Sequence, residues 1–390
     1  MLRSVLAALT PPPRVVDWAL AVGVAVAVGS GLASFTAGTR SGAWLFWLHA
    51  AVGLSLAALL AAKLWRVRRR VVDRAGWDAA TPLSVLQAAV AVAAVATGLF
   101  WVLGGNVPLW GWTTLNLHVG LGLLLVPLVV VHLRARYHSP RRVDADRRAA
   151  LKTGAVLVGG AVAWRASETA DRLLGGADRR FTGSKPVGDL SAADTRGGDF
   201  PVTSWVADDP DPVDRDAWTL TVAGAVDAEL DLGVDDVDRA GNAARGGDEA
   251  AGADASADSD EPADDEPAVG GAATLDATLD CTSGWYTVQR WGGVRVGDLL
   301  DRAGVADDAR FVRFVSVTGY RWSLPVAEAR EALLATRVGG DELSHGHGAP
   351  ARLVAPGRRG FQWVKWVERI EVRRRGDPAQ WLVTLISGFD

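Results

Sequence analysis

Four stretches of this chain are almost free of charge over the length of a membrane span, and no other feature limits its fold so strongly. Val15 to Ala37, Trp44 to Trp65, Leu83 to Leu103 and Leu115 to Leu133 each run for about 19 to 23 mostly apolar residues. At about 1.5 Å per residue, a helix of that length crosses the roughly 30 Å of a bilayer's hydrocarbon. The expectation is an N-terminal all-α transmembrane helix bundle of four helices over residues 1–140. Arg66, Arg68, Arg69, Arg70 and Arg74 follow the second stretch, and Arg134, Arg136, Arg141 and Arg142 follow the fourth. Basic clusters mark the cytoplasmic side, so both clusters and the N-terminus are placed inside. Trp44, Trp47, Trp101, Trp110 and Trp112 then fall where an outer aromatic belt belongs.

The net charge of -4 conceals a division of the chain. Residues 1–165 hold 17 Lys and Arg against 5 Asp and Glu, whereas residues 166–390 hold 24 against 40. Two parts in different surroundings are implied. Outside the membrane-flanking clusters there is no basic patch, which argues against a nucleic-acid partner. At the junction stand Arg147-Arg148, then Leu151-Lys152, then a short apolar run from Thr153 to Trp164 weakened by Gly and Ala. Residues 141–165 therefore resemble a twin-arginine export signal, with Ala161-Val162-Ala163 as a cleavage site; the other reading is a fifth transmembrane helix that stays in place. Either one puts residues 166 onward outside the cell membrane, as the extracytoplasmic domain of a multi-pass membrane protein.

Residues 166–199 are polar and Gly-rich and read as a tether. From Phe200 the pattern is of short strands and helices, an α+β domain over 200–375. Trp218 to Val222 alternates with period two, Phe311 to Val317 reads as a central strand, Val296 to Ala303 and Val326 to Ala335 read as helices, and Phe361 to Val372 reads as a strand pair or a turn and strand. An insertion over 241–271, made chiefly of Ala, Asp, Gly and Glu, has too little apolar surface to order itself. Residues 376–390 are left as a C-terminal tail.

Histidine is rare, with six in the chain, and two of them lie at membrane depth. His49 is five residues into the second stretch and His118 three into the fourth. Paired across a bundle, two imidazoles suit the iron of a haem b, and Gly53, Gly120 and Gly122 leave room for a flat macrocycle. The plainer reading is interhelical hydrogen bonding. His132 follows His118 by about 21 Å along the axis on nearly the same face, but no other stretch offers it a partner histidine, so one haem is expected.

The only cysteine is Cys281. A lone thiol forms no internal disulfide; it is a metal ligand, a nucleophile, an intermolecular bridge or an inert buried residue. Around it runs Leu279-Asp280-Cys281-Thr282-Ser283-Gly284-Trp285, followed by Trp291-Gly292-Gly293-Val294-Arg295-Val296-Gly297-Asp298-Leu299-Leu300. Further on come Thr318-Gly319-Tyr320-Arg321-Trp322-Ser323-Leu324-Pro325, then His347-Gly348-Ala349-Pro350-Ala351-Arg352-Leu353-Val354, then Val364-Lys365-Trp366-Val367-Glu368-Arg369-Ile370. In this order and spacing the segments resemble the sulfite oxidase family of molybdopterin-dependent oxidoreductases, from about Phe200 to Val372. Nothing in the first 165 residues belongs to that family, and these residues look instead like a cytochrome b-type membrane domain.

The resemblance implies a sulfite oxidase-like molybdopterin-binding fold and a molybdenum-molybdopterin cofactor with Cys281 as the thiolate ligand of molybdenum. It implies that His347, Arg352 and Lys365 bind the cofactor, that Trp285 forms part of its wall, and that Tyr320 stands near the metal. Arg290 is added as a catalytic candidate for substrate charge on its nearness to Cys281. Family members hold oxyanion substrates with cations upstream of the cysteine, and Phe200 to Asp280 offers no clear equivalent. The expected function is oxygen-atom transfer, with reduction of a small-molecule or protein-bound S- or N-oxide ahead of sulfite oxidation, and with a quinone or quinol exchanging electrons through the haem. A non-catalytic membrane electron carrier with a partner-binding outer domain is the rival of another class.

Overall fold

The computed structural model describes residues 11–103, 112–136, 147–173, 179–187, 200–204, 208–239 and 273–386. Trp110, Arg141, Arg142 and the acidic insertion lie outside the described residues, as does half of the expected tether. Two compact units, 1–185 and 186–390, divide the chain inside that tether segment.

In the first unit the four apolar stretches form helices α1 (Pro13–Ser34), α2 (Ala43–Val72), α3 (Thr81–Val102) and α4 (Thr114–Arg136). Each is long and apolar enough to cross a membrane. Helix α2 runs past Trp65 through the arginine cluster, because Arg and Leu are good helix formers and nothing breaks the run before Asp73. The helices pack α1 on α2 and α3 on α4, with Val90, Ala94 and Leu125 buried between α3 and α4. Helix α5 (Arg147–Leu173) covers the expected signal or fifth helix and continues through the first residues of the expected tether. It is not among the helices apolar enough to meet the membrane-crossing criterion. It packs along α2, where Ser55 Oγ reaches Val156 O at 3.3 Å and Gly160 faces the Ser55 backbone without a side chain between them.

The second unit holds two sheets around one apolar core that includes the fully buried Trp291, Trp363, Phe314 and Leu353. One sheet runs β3 (Leu230–Leu232), β2 (Leu220–Gly224), β11 (Val367–Arg373), β6 (Phe311–Ser316) and β7 (Arg321–Pro325). Strands β2 and β11 are parallel; the other neighbours are antiparallel. The other sheet runs β1 (Lys185–Pro186), β5 (Trp285–Arg295), β8 (Leu333–Val338) and β10 (Arg352–Val354), with β4 (Ala273–Asp280) on β5 and β9 (Asp341–Glu342) on β8. Helix α6 (Val296–Ala303) forms where expected, burying Val296, Leu299, Leu300 and Ala303 at helical spacing and ending at Gly304 with φ 69.

One expectation needs correction. The helix expected over Val326 to Ala335 stops at Arg330 as α7 (Val326–Arg330), and Leu333 to Val338 joins the sheet. A short apolar run buried on both faces does not distinguish helix from strand by periodicity. The strand at Phe311 is interior to its sheet as expected, between β11 and β7. The tail is ordered through α8 (Gln380–Ile386), whose Trp381 ring meets Trp322 edge-on at 5.0 Å. Asp377 there pairs with Arg313 at 3.0 Å and Arg321 at 2.7 Å.

Candidate active site

Cys281 sits in the tight turn between β4 and β5. Its N–H donates to Trp285 O at 2.8 Å and Gly284 N–H donates to Cys281 O at 3.1 Å, with Gly284 at φ 93. The thiol is buried, with Thr203 Oγ1 and Ser283 N each 3.4 Å from Sγ. A second turn closes against this one. Gly360 approaches so nearly that a Cβ there would lie 3.2 Å from Cys281 Cα, so a side chain there would crowd the Cys281 backbone. Arg359, beside it, donates through Nη2 to Cys281 O at 3.1 Å and faces Asp280 across 3.4 Å, both side chains buried. Removing one partner of a buried pair strands the other's charge. Arg359→Ala is therefore expected to destabilise this unit by about 3 to 5 kcal/mol, read as a shift in its denaturation midpoint.

The remaining motif residues converge on the same place. His347 Nε2 lies 2.9 Å from Phe200 O and, facing a carbonyl, donates to it; the His347 ring stacks on Phe200 at 4.0 Å. Lys365 Nζ donates to Thr203 O at 2.8 Å, Ser204 Oγ at 3.2 Å and Gly346 O at 2.6 Å. The segment 200–204 is thus strapped to His347 and Lys365 while touching the thiol. Trp366, next to Lys365, holds φ 50, a left-handed conformation that costs a bulky residue strain, and its indole N–H donates to His345 O at 2.9 Å. Arg352 opens β10, donates to His347 O at 2.9 Å and lies over the Trp291 and Trp363 rings at 5.1 and 5.8 Å. Tyr320 is buried, and its hydroxyl donates to Phe361 O in the turn that touches Cys281.

The electrostatics are unusual for a protein interior. Arg352 is buried, and among the described residues no carboxylate pairs with it. Burial lowers its pKa to about 10, with the Cys281 thiol acting the other way. Lys365 is lowered to about 7, by burial first and Arg352 second, against the pull of Asp208, Cys281 and Asp209. Asp208, which accepts from Thr318 Oγ1, is raised by burial. Buried donors without a partner gather in the same region: Arg352 Nε, Trp285 Nε1, Trp363 Nε1 and Gln362 Nε2. Stranded donors each cost about 1 to 3 kcal/mol, so this lining suits an anionic group rich in acceptors, with the thiol as a soft ligand beside it.

Residues 207–381 match the oxidoreductase molybdopterin binding domain. The match covers the turn of Cys281, Tyr320, His347, Arg352 and Lys365. The chain is 33% identical over 123 residues to mitochondrial sulfite oxidase of Mus musculus, covering 28% of this chain and 22% of that one. It is 31% identical over 106 residues to the uncharacterised oxidoreductase YuiH of Bacillus subtilis, covering 26% and 54%. It is 31% identical over 120 residues to the catalytic subunit MsrP of a protein-methionine-sulfoxide reductase from Xanthomonas axonopodis, covering 26% and 37%. The chain thus spans between about a fifth and about a half of these relatives.

Among the sequence candidates, Cys281, Tyr320, His347, Arg352, Lys365 and Trp285 come together in the second unit. Arg290 does not join them. It faces outward on β5 opposite Asp276, pairing with it at 3.2 Å, about 17 Å along the strand from the turn. Thr203, Asp208, Arg359 and Gly360 enter the site without having been singled out by the sequence.

A separate constellation lies in the helical unit. The His49 and His118 rings stand 5.8 Å apart and edge to face. His49 Nδ1 lies 2.9 Å from Ala27 O and His118 Nδ1 2.8 Å from Ala94 O. A carbonyl only accepts, so each Nδ1 carries the proton and each Nε2 keeps its lone pair. Gly31 and Gly98 flank the pair: a Cβ would stand 3.3 Å from His49 Cε1 at the first and 2.8 Å from His118 Cε1 at the second. His132 lies apart, with Nδ1 at 3.1 Å from Ser84 Oγ.

Proposed function

We propose that this chain is a membrane-anchored, molybdenum-dependent oxidoreductase that transfers an oxygen atom outside the cell membrane and exchanges electrons with quinone through a haem b. The observation that carries the reading is the buried Cys281 thiol among N–H donors and cations, with no carboxylate on Arg352 among the described residues. When bound, the molybdopterin group supplies a metal that takes or gives one oxygen atom and two electrons. Cys281 would be its thiolate ligand, and Arg352, Lys365 and His347 would hold its anionic and polar edges. The wall of Trp285, Trp291 and Trp363 keeps water out, and Tyr320 holds a proton at its hydroxyl beside the Gly360 turn. Reduction of an S-oxide or N-oxide consumes two electrons and two protons and releases water. It is favoured over sulfite oxidation because Arg290, the cation offered for an oxyanion, faces away. The MsrP relative acts on methionine sulfoxide in proteins, as its name says, and this supports the same direction.

For the haem, the support is the paired imidazoles whose Nδ1 protons are held by carbonyls, which is how ligating histidines are oriented. Four helices able to cross a membrane support the anchoring, and the Arg-rich helix ends support an outer location for the molybdopterin-binding domain. An activity screen tests the function: methionine sulfoxide, other S- and N-oxides, and sulfite, each with quinol or quinone analogues. Sulfite turnover exceeding that of every oxide would reverse the assignment, and a purified chain with neither molybdenum nor turnover would leave only an electron carrier.

Lys365 makes cofactor retention depend on pH. Its folded pKa is depressed to about 7, so from there up to the ordinary lysine range the folded ammonium is neutral while the unfolded one is charged. Stability without a ligand therefore rises with pH across that window, whereas an anion bound beside Lys365 requires the proton. Affinity for the pterin group is expected to fall above about pH 7, by up to about tenfold per unit. Cofactor exchange measured from about pH 6 to about pH 9 checks this, and a Lys365→Gln variant should show a flat profile.

A further inference from the structure

Beyond α5 the chain does not leave the helical unit at once. Arg179 to Lys185 folds into a tight turn, with Gly183 N–H donating to Arg180 O at 2.9 Å and Arg180 N–H donating to Ser184 O at 3.0 Å. This turn is docked on the bundle. The Phe181 ring meets Phe46 edge-on at 5.8 Å, Arg179 Nη1 lies 3.5 Å from Trp101 O, and Lys185 Nζ stands over the Trp101 ring at 5.0 Å. Trp101 itself is buried.

The anchors are placed by helical spacing. Phe46 precedes His49 by three residues on α2, and Trp101 follows Gly98, which abuts the His118 ring, by three residues on α3. Three residues are nearly one turn, a rise of about 4.5 Å. His118 is likewise in the second turn of α4. The turn thus lies over one end of the bundle, one helical turn beyond the two imidazoles, and brings Arg179 and Lys185, with Arg180 over the Phe181 ring at 5.7 Å, to an apolar rim of Phe46, Phe181 and Trp101. A haem held between the imidazoles carries two carboxylates on one edge, and those cannot remain in the apolar interior without cations.

We propose that the Arg179–Lys185 turn closes the haem pocket, with the Arg179 guanidinium and the Lys185 ammonium pairing with the two haem carboxylates. This rests on the haem reading of His49 and His118 and adds to it the residues that fix the haem's orientation and raise its potential. Cations beside the macrocycle favour the added electron, so their removal lowers the midpoint potential.

The test uses the full chain and its Arg179→Gln, Lys185→Gln double variant, each reconstituted with haem b and with haem b dimethyl ester, whose carboxylates are blocked. The wild type should retain haem b several-fold longer than the ester against transfer to a haem acceptor, and the double variant should retain the two equally. The haem potential should be lower in the variant, and the charge-conserving pair Arg179→Lys, Lys185→Arg should restore both properties. An ester preference and a potential unchanged by the double substitution would overturn the proposal while leaving the haem reading in place. A wild type with no b-type bands, or bands indifferent to His49 and His118, would remove the haem reading itself. Persistence of the ligand-dependent bands in the double variant shows that the bundle is folded, so the comparison of the two haems stands whatever the variant's stability.

Discussion

Cys281→Ser is expected to lower turnover by more than about a hundredfold while leaving the second unit folded. Serine is nearly the same size, and the bonds that shape the turn are made by the backbone, Cys281 N–H to Trp285 O and Arg359 Nη2 to Cys281 O. The neighbours of Sγ, Thr203 Oγ1 and Ser283 N–H, accept an oxygen as readily as a sulfur. What changes is the donor: a hydroxyl is harder than a thiol and does not ionise near neutral pH, so it is a poor ligand for a soft metal site. Turnover, molybdenum content and the sulfur-to-metal absorption should be measured on the same preparation. Loss of the absorption and of turnover in a folded protein is the expected result. Wild-type turnover with wild-type molybdenum would end the ligand role of Cys281.

The parts of the molecule that could be read in the sequence are those where local chemistry decides. The four long apolar helices appear because charge is nearly absent over a bilayer's width, and α6 appears because its apolar residues repeat at helical spacing up to a glycine. Strand β8 did not, because Leu333, Leu334 and Ala335 are buried on both faces and carry no period. In the site, His347, Arg352 and Lys365 were legible through the motif that holds them. Their anchors were not: Phe200 and Thr203 take part through backbone carbonyls, 147 and 162 residues away in sequence from His347 and Lys365, and any residue type supplies a carbonyl. Arg290 shows the opposite error. Nearness to Cys281 in sequence suggested a role, but a strand turns successive side chains to opposite faces, and its neighbours Gln289 and Trp291 take the buried one. The ordered tail was hidden for a similar reason, since Asp377 gains its place only from Arg313 and Arg321 on two other strands.

For the helical unit the largest expected effect is at the imidazole pair. His49→Ala and His118→Ala should each cut haem occupancy by more than about a hundredfold in affinity, seen as loss of reduced b-type bands, while molybdenum content stays at the wild-type level. The reasoning is that each imidazole has its Nδ1 proton committed to a carbonyl, at Ala27 and Ala94, so Nε2 is the only nitrogen that can ligate. Those carbonyls would be left without their donor in the alanine variants, but each also belongs to a helix, so the bundle should survive. Gly98 provides an independent check that keeps both histidines. A Cβ there would lie 2.8 Å from His118 Cε1 and 3.0 Å from Nδ1, so Gly98→Val should displace the ring and shift or abolish the bands with no ligand removed. If the two histidines only hold the helices together by hydrogen bonds, all three substitutions will lower thermal stability and leave absorption unaltered. Bands that disappear while the second unit keeps its molybdenum separate the two explanations, because a merely structural pair has no spectrum to lose.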